Sequence, residues 1–205
     1  MNVIIMRRFL FPLCFIFCFG CHQGQSSTAQ PLAKDYTLQH TQALAYCKAH
    51  KMNEDFYFLI DLSLHSGKNR FFVYDFKQEK NLYEKLVTHG SCDVKEPNPD
   101  KFEVAKYSNQ ANSHCSAKGK YKIGKRDYSS WGIKVKYWLQ GLETSNNNAQ
   151  KRVIVLHSWE AVADREIYPR YSPLSWGCPA VSNAFMQLLD TMLQESKKPV
   201  LLWIL

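Results

Sequence analysis

The sequence predicts a mainly β (α+β) domain: an antiparallel, sandwich-like sheet with a short helix near its start and a longer helix near its end. Three observations carry that expectation. Runs rich in Phe, Tyr, Val and Ile recur from residue 56 onward, and aromatics make up 14% of the chain. Such residues suit pleated, half-buried surfaces. Helical periodicity is confined to two stretches. Helices do not alternate with strands, which argues against a doubly wound parallel sheet. With 205 residues the chain has room for one domain or two small ones. Its 45% hydrophobic and 21% charged content excludes disorder for the bulk of it, and 9 Gly exclude a collagen-like rod.

The first residues read as an export signal. Arg7-Arg8 forms a short positive region, and Phe9 to Gly20 is an apolar run interrupted by Pro12. That run falls short of the ~20 residues a spanning helix needs, but it has the length and flanks of a secretory signal. Gly20-Cys21 resembles the cleavage site of bacterial lipoproteins. Residues 1–20 are therefore expected to be removed, leaving Cys21 as a lipid-modified terminus, with simple cleavage nearby as the alternative. Residues 21–36 are polar and read as a tether, so the folded domain is expected at 37–205.

Leu38 to Met52 carries Leu38, Ala43, Leu44, Ala45 and Cys47 at spacings that suit one amphipathic helix, with Thr37 as its N-cap. Phe56–Leu62 and Arg70–Phe76 flank a Ser66-Gly67-Lys68-Asn69 turn and read as a hairpin. Leu82–Val87 follows as a third strand, ending at His89-Gly90. Residues 91–119 are rich in Asn, Pro, Ser and Lys and form a long loop, a kind that is usually functional or disordered. Strands are expected at Lys120–Ile123, Gly132–Leu139 and Arg152–Leu156. The unbroken apolar run Val153–Leu156 suggests a central buried strand. Asn183–Glu195 places Phe185, Met186, Leu188, Leu189, Met192 and Leu193 on one helical face, with Ser182 as N-cap. Val200–Leu205 closes the chain as a strand.

The formal charge is +8, but Lys and Arg are scattered rather than clustered. This reads as a solvated basic surface, or as a weak attraction to anionic wall polymers; no nucleic-acid motif is present. Of seven cysteines, Cys14, Cys18 and Cys21 belong to the signal region, leaving Cys47, Cys92, Cys115 and Cys178. Cys92 and Cys115 flank the same loop and are the expected bridge, the alternative being buried thiols.

Two segments carry chemistry: His157-Ser158-Trp159 after the apolar strand, and Ser175-Trp176-Gly177-Cys178-Pro179 before the last helix. A Cys upstream of a helix N-terminus gains thiolate character. A His at a strand end can act as its base. Gly177 permits close backbone approach, and the N–H groups of Gly177 and Cys178 are candidates for an oxyanion hole.

At these residues the chain resembles the L,D-transpeptidase (YkuD-like) catalytic domain of bacterial cell-wall enzymes, in a divergent branch keeping Trp-Gly-Cys-Pro-Ala-Val. That family carries a His, about a score of residues, then Ser/Thr-His-Gly-Cys; here His157 precedes Cys178 by 21 positions. His89-Gly90, Ser108-Asn109 and Lys118-Gly119-Lys120-Tyr121 fit as well. The resemblance implies Cys178 as nucleophile, His157 as base and the Ser158 carbonyl orienting the imidazole. It implies peptidoglycan stem peptides as substrate, a thioester intermediate, and either an amine acceptor, giving a cross-link, or water, giving L,D-carboxypeptidation. It calls for no metal or other cofactor. Ser175, Trp176, Trp131, His89 and Tyr128 are candidates to line the substrate groove. Together with the export signal and the lipid-modified Cys21, this leads to the expectation of a periplasmic, membrane-anchored lipoprotein. Two departures stand out: Trp176 replaces the family's second His, and Ala180 replaces a polar residue. His89 or His114 would then compensate, or the protein would be a catalytically silent wall-binding lipoprotein. A metal site built from His65, His89, His114 and His157 matches no zinc spacing.

Overall fold

The computed structural model describes Met1 and residues 34–205; the expected export signal, Cys21 and nearly all of the tether lie outside the described residues. In chain order the elements are α1 (Thr37–Ala49), β1 (Phe56–Ile60), β2 (Phe71–Asp75), β3 (Lys80–Lys85), β4 (Gly119–Tyr128), β5 (Val135–Gly141), β6 (Val155–Ser158), β7 (Ala180–Val181), α2 (Asn183–Glu195) and β8 (Leu201–Ile204). All eight strands join one sheet in the order β3-β2-β1-β8-β4-β5-β6-β7. Pairing is antiparallel except at β1·β8 and β6·β7. Among the described residues no helix is long and apolar enough to cross a membrane.

Alternation along the strands sets two faces. Phe58, Ile60, Phe71, Val73, Tyr121, Ile123, Tyr137, Leu139, Leu156, Leu202 and Ile204 point to one core, which α2 completes with Phe185, Met186 and Leu189. Strands from both halves of the sheet thus share one interior with α2, giving the layered arrangement expected. Each of the three buried α2 side chains contributes roughly 1.5–3 kcal/mol of burial. Ser182 caps α2 as expected, its Oγ accepting from the Phe185 N–H at 3.1 Å. On the opposite face, Tyr57, Leu59, Phe72 and Leu201 pack against α1 through Ala43 and Cys47.

Several expectations about elements need correction. Thr37 is the first helical residue rather than the N-cap of α1; Asp35 takes the capping role, its Oδ1 accepting from both the Thr37 N–H and its hydroxyl. Leu38 and Ala45 are exposed, so the buried stripe of α1 is narrower than the sequence suggests. The strand after residue 150 begins at Val155, not Arg152. Val153 has φ +57° and is 53% exposed, because it turns the chain into the strand. That strand, β6, sits next to the edge of the sheet rather than at its centre. There only two-residue β7 covers it, which leaves its outward face open to a cleft. Tyr36, at the end of the expected tether, is buried, and its hydroxyl donates to Asp61 at 2.7 Å.

Candidate active site

The nucleophile candidate lies on a turn, and the base candidate on β6. In the parallel β6·β7 pair His157 faces Ala180, two residues past Cys178. Leu156 faces the core, so His157 faces out. The two side chains open into one cavity of about 410 Å³. His157 Nδ1 lies 2.9 Å from the Ser158 carbonyl, which makes Nδ1 the protonated nitrogen and leaves Nε2 as the basic one. Ser158 is itself fixed by the Ile133 N–H, which donates to its Oγ at 3.0 Å.

The Cys178 turn is held by its main chain. Thr88 Oγ1 donates to the Cys178 carbonyl at 3.1 Å and accepts from the Ala180 N–H at 3.0 Å. The Ser175 N–H donates to the His89 carbonyl and the Ser91 N–H to the Ser175 carbonyl. Residues 88–91 therefore run beside 175–180 like an added strand. Ser175 Oγ donates to the Cys178 carbonyl at 2.7 Å and accepts from the Gly177 N–H at 3.2 Å. Gly177 has φ +105°, and a Cβ there would sit 2.5 Å from the Cys115 carbonyl oxygen. Only glycine fits.

Beneath the turn lies the long loop, tied to itself by the Cys92–Cys115 disulfide. Arg152 joins loop and turn. Its guanidinium donates to the Ser108 carbonyl at 2.7 Å and to the Cys115 carbonyl. Sequence reasoning missed Arg152, because a lone Arg at the end of an Asn-rich segment gives no signal of where it points.

Electrostatics depart from expectation. Burial pushes the Cys178 thiol up, against a Val155 backbone hydrogen bond and the positive charges of Arg152 and Lys136. Burial likewise lowers His157, partly offset by its bond to Ser158. The expected help from the helix does not arise, since β7 intervenes between Cys178 and the start of α2 at Asn183. Both shifts favour the uncharged forms, thiol and neutral imidazole, near neutral pH.

The cleft walls are aromatic. Trp176 is 74% exposed and stacks on His114 at 4.6 Å. Trp131 meets Trp159 edge-on at 5.7 Å. Trp131, Ser175 and Trp176 line the cleft together with Trp159 and Leu174. Tyr128 is exposed but does not line it.

His89 does not belong to the groove. Its ring is fully buried, with Nδ1 2.7 Å from Arg70 Nη2 and Nε2 2.7 Å from the Lys101 carbonyl. Burial and the Arg70 charge lower it to about 4, so it is a neutral core residue; its backbone, not its imidazole, serves the site. The Gly177 N–H is likewise engaged by Ser175 Oγ, which leaves the Cys178 N–H as the turn's backbone donor without an acceptor among the described residues. His65 stacks on Tyr171 and His114 on Trp176, so the four histidines do not gather. Among the described residues no group of three His, Cys, Asp or Glu side chains is placed to hold a metal ion.

A half-buried thiol and an imidazole of fixed tautomer that line one cleft walled by aromatics have the composition of a cysteine-dependent acyl-transfer site. The family model of the L,D-transpeptidase catalytic domain matches residues 29–202, and the chain belongs to that family. Among solved structures it is similar to the helical cell shape determining protein Pgp2 from Campylobacter jejuni, with 12% identity over 80% of this chain and 55% of that one and a TM-score of 0.44. It is also similar to an L,D-transpeptidase from Xylanimonas cellulosilytica, with 13% identity over 73% and 60% and a TM-score of 0.38. A third likeness is to an L,D-transpeptidase from Stackebrandtia nassauensis, with 15% identity over 84% and 67% and a TM-score of 0.39. The chain spans just over half the length of the Pgp2 chains it matches. No curated protein matches it.

Proposed function

We propose that this protein is a peptidoglycan L,D-transpeptidase acting through Cys178 and His157. One observation carries the reading: both side chains open into the same cavity, and the imidazole has its Nδ1 occupied by the Ser158 carbonyl. His157 Nε2 takes the Cys178 proton as the sulfur attacks the carbonyl of the third residue of a stem peptide. The Cys178 N–H stabilises the resulting oxyanion. Collapse breaks the bond to the terminal D-Ala, whose amine takes the proton back from the imidazolium. A thioester remains. An amine from a second stem peptide then attacks it, giving a cross-link and restoring the thiol, and His157 again relays the proton. If water attacks instead, the net reaction is L,D-carboxypeptidation at the same site.

The proposed setting is outside the cytoplasm, in the periplasm, with residues 1–20 as export signal and Cys21 as lipid anchor. The Cys92–Cys115 bridge supports an oxidising compartment. The test is mass analysis of muropeptides after incubation with protein that keeps the Cys92–Cys115 bridge and a free Cys178 thiol. Cross-linked dimers support transfer, and shortened tripeptides support hydrolysis. Unchanged muropeptides that nonetheless bind would identify a silent wall-binding protein and overturn the reading.

A further inference from the structure

We infer that the His89 imidazole, clamped by Arg70, is a positioning residue for the nucleophile: it fixes the segment against which the Cys178 turn is registered. The inference rests on the reading above for the reaction it serves.

The clamp begins where the sheet runs out. Phe71, at the head of β2, pairs with Lys85, the last residue of β3. The next partners along that ladder would be residues 69 and 87. The chain before Arg70 has already left the ladder, in the turn closed by the Lys68 N–H on the His65 carbonyl. Residues 86–91 therefore run on without β2 beside them. A buried carbonyl there needs a donor, and the Arg70 side chain supplies it. Its Nε and Nη2 donate to the Val87 carbonyl at 3.1 and 2.8 Å, and its Nη1 to the Leu64 carbonyl at 3.1 Å. Nη2 also donates to His89 Nδ1 at 2.7 Å. Arg70 and His89 are both fully buried.

A guanidinium only donates and a carbonyl only accepts. With Arg70 at Nδ1 and the Lys101 carbonyl 2.7 Å from Nε2, the ring carries its proton on Nε2, the opposite tautomer to His157. The ring is held at both edges, so the backbone it hangs from is fixed with it. That backbone sets the turn. The His89 carbonyl accepts from the Ser175 N–H at 2.9 Å. Flanking it, the Thr88 N–H donates to the Ala180 carbonyl at 2.9 Å and the Ser91 N–H to the Ser175 carbonyl at 3.0 Å. Thr88 Oγ1 adds its bonds to the Cys178 carbonyl and the Ala180 N–H. The sulfur thus rides on a turn held by two arginines: Arg152 through the Cys115 carbonyl, and Arg70 through His89.

Three variants test the clamp. His89→Leu removes both ring bonds. His89→Asn keeps an amide oxygen where Nδ1 stands, and with it the bond from Arg70. Arg70→Lys keeps the charge but loses the fork. Circular dichroism confirms folding. The Ser175 and Ala180 amides should exchange hydrogen about tenfold or more faster in His89→Leu and Arg70→Lys, and within about threefold of wild type in His89→Asn, as expected when one hydrogen bond is lost or kept. On a tetrapeptide muropeptide, kcat should fall on the order of 100-fold in the first two variants, as for a displacement of about 1 Å. Binding of the muropeptide to the same variants carrying Cys178→Ala should stay within about twofold, since only the reacting group has moved. A purely structural role would lower the melting temperature and leave kcat of the folded protein unchanged. In wild-type protein, nitrogen NMR of the His89 ring should show a bare Nδ1, a result that needs no variant. The opposite tautomer, unchanged exchange in both His89→Leu and Arg70→Lys, equal losses in His89→Asn, or unchanged kcat overturns the inference. Wild-type protein that forms no thioester would sink the catalytic reading instead, and the exchange and tautomer results would still decide the clamp.

Discussion

Replacing Gly177 with Ala tests how the nucleophile's position is set. The residue sits at φ +105°, where an L side chain costs roughly 1–3 kcal/mol in backbone strain. The added Cβ would lie 2.5 Å from the Cys115 carbonyl oxygen and 3.2 Å from Arg152 Nη2. The first contact is backbone, held by Arg152 and by the bridge to Cys92, so it cannot swing aside. The turn must therefore give way by about 1 Å to reach an ordinary contact, and a misplacement of that size costs on the order of 100-fold in rate. The strain alone should lower the melting temperature by roughly 2–12 °C, at ~2–4 °C per kcal/mol for a domain this size. The assay is kcat/KM on a tetrapeptide muropeptide at 25 °C, with circular dichroism to confirm folding. A folded Gly177→Ala protein within twofold of wild type would refute the reasoning.

Other consequences follow from the same geometry. Burial raises the Cys178 thiol above the usual value of 9.0, so iodoacetamide labelling should climb with pH through and beyond that range. A preformed thiolate–imidazolium pair would instead give a plateau near neutrality. Turnover needs His157 neutral, and its pKa is lowered from 6.5, so activity should rise with pH through a midpoint below the ordinary imidazole value. Cys47, pushed up to about 12 by burial, should stay unlabelled in folded protein. Replacing Cys92 and Cys115 with Ser opens a loop with sequence separation 23 and should cost about 3 kcal/mol, read as a lower denaturant midpoint. Ser182→Ala removes the α2 cap and should cost ~1 kcal/mol, lowering the melting temperature while leaving the thiol's labelling rate unchanged.

The parts of the fold legible in the sequence are those set by local chemistry. The α2 boundaries and the Ser182 cap follow from a wide apolar face and one hydroxyl at the right place. The β1–β2 hairpin follows from two aromatic runs around a turn. The pairing of Cys92 with Cys115 follows from their flanking one loop. His157 and Cys178 are legible as candidates because each stands near an element's end, and the fold brings both to one cleft, with the Ser158 carbonyl against the imidazole.

What stayed hidden depends on long-range placement. Nothing local tells that β6 lies beside the sheet edge, so its apolar run looked central. His89 looked like a groove residue, yet Arg70, 19 positions away, claims its ring and leaves only its backbone to the turn. In sequence the helix end stands close to the sulfur, but in the fold β7 lies between them. Arg152 and Trp159 became part of the site only once the long loop and the Trp131 segment were folded beside the turn.

The most direct measurement is intact-protein mass after mixing protein whose Cys178 is a free thiol and whose Cys92–Cys115 bridge is intact with a tetrapeptide muropeptide. The account predicts a transient adduct equal to the muropeptide less its terminal D-Ala and located on Cys178. The adduct should be absent in Cys178→Ala and formed some 100- to 10,000-fold more slowly in His157→Ala, as expected for loss of a general base. No adduct on folded wild-type protein, an adduct on another residue, or acylation undiminished by loss of His157 would contradict it.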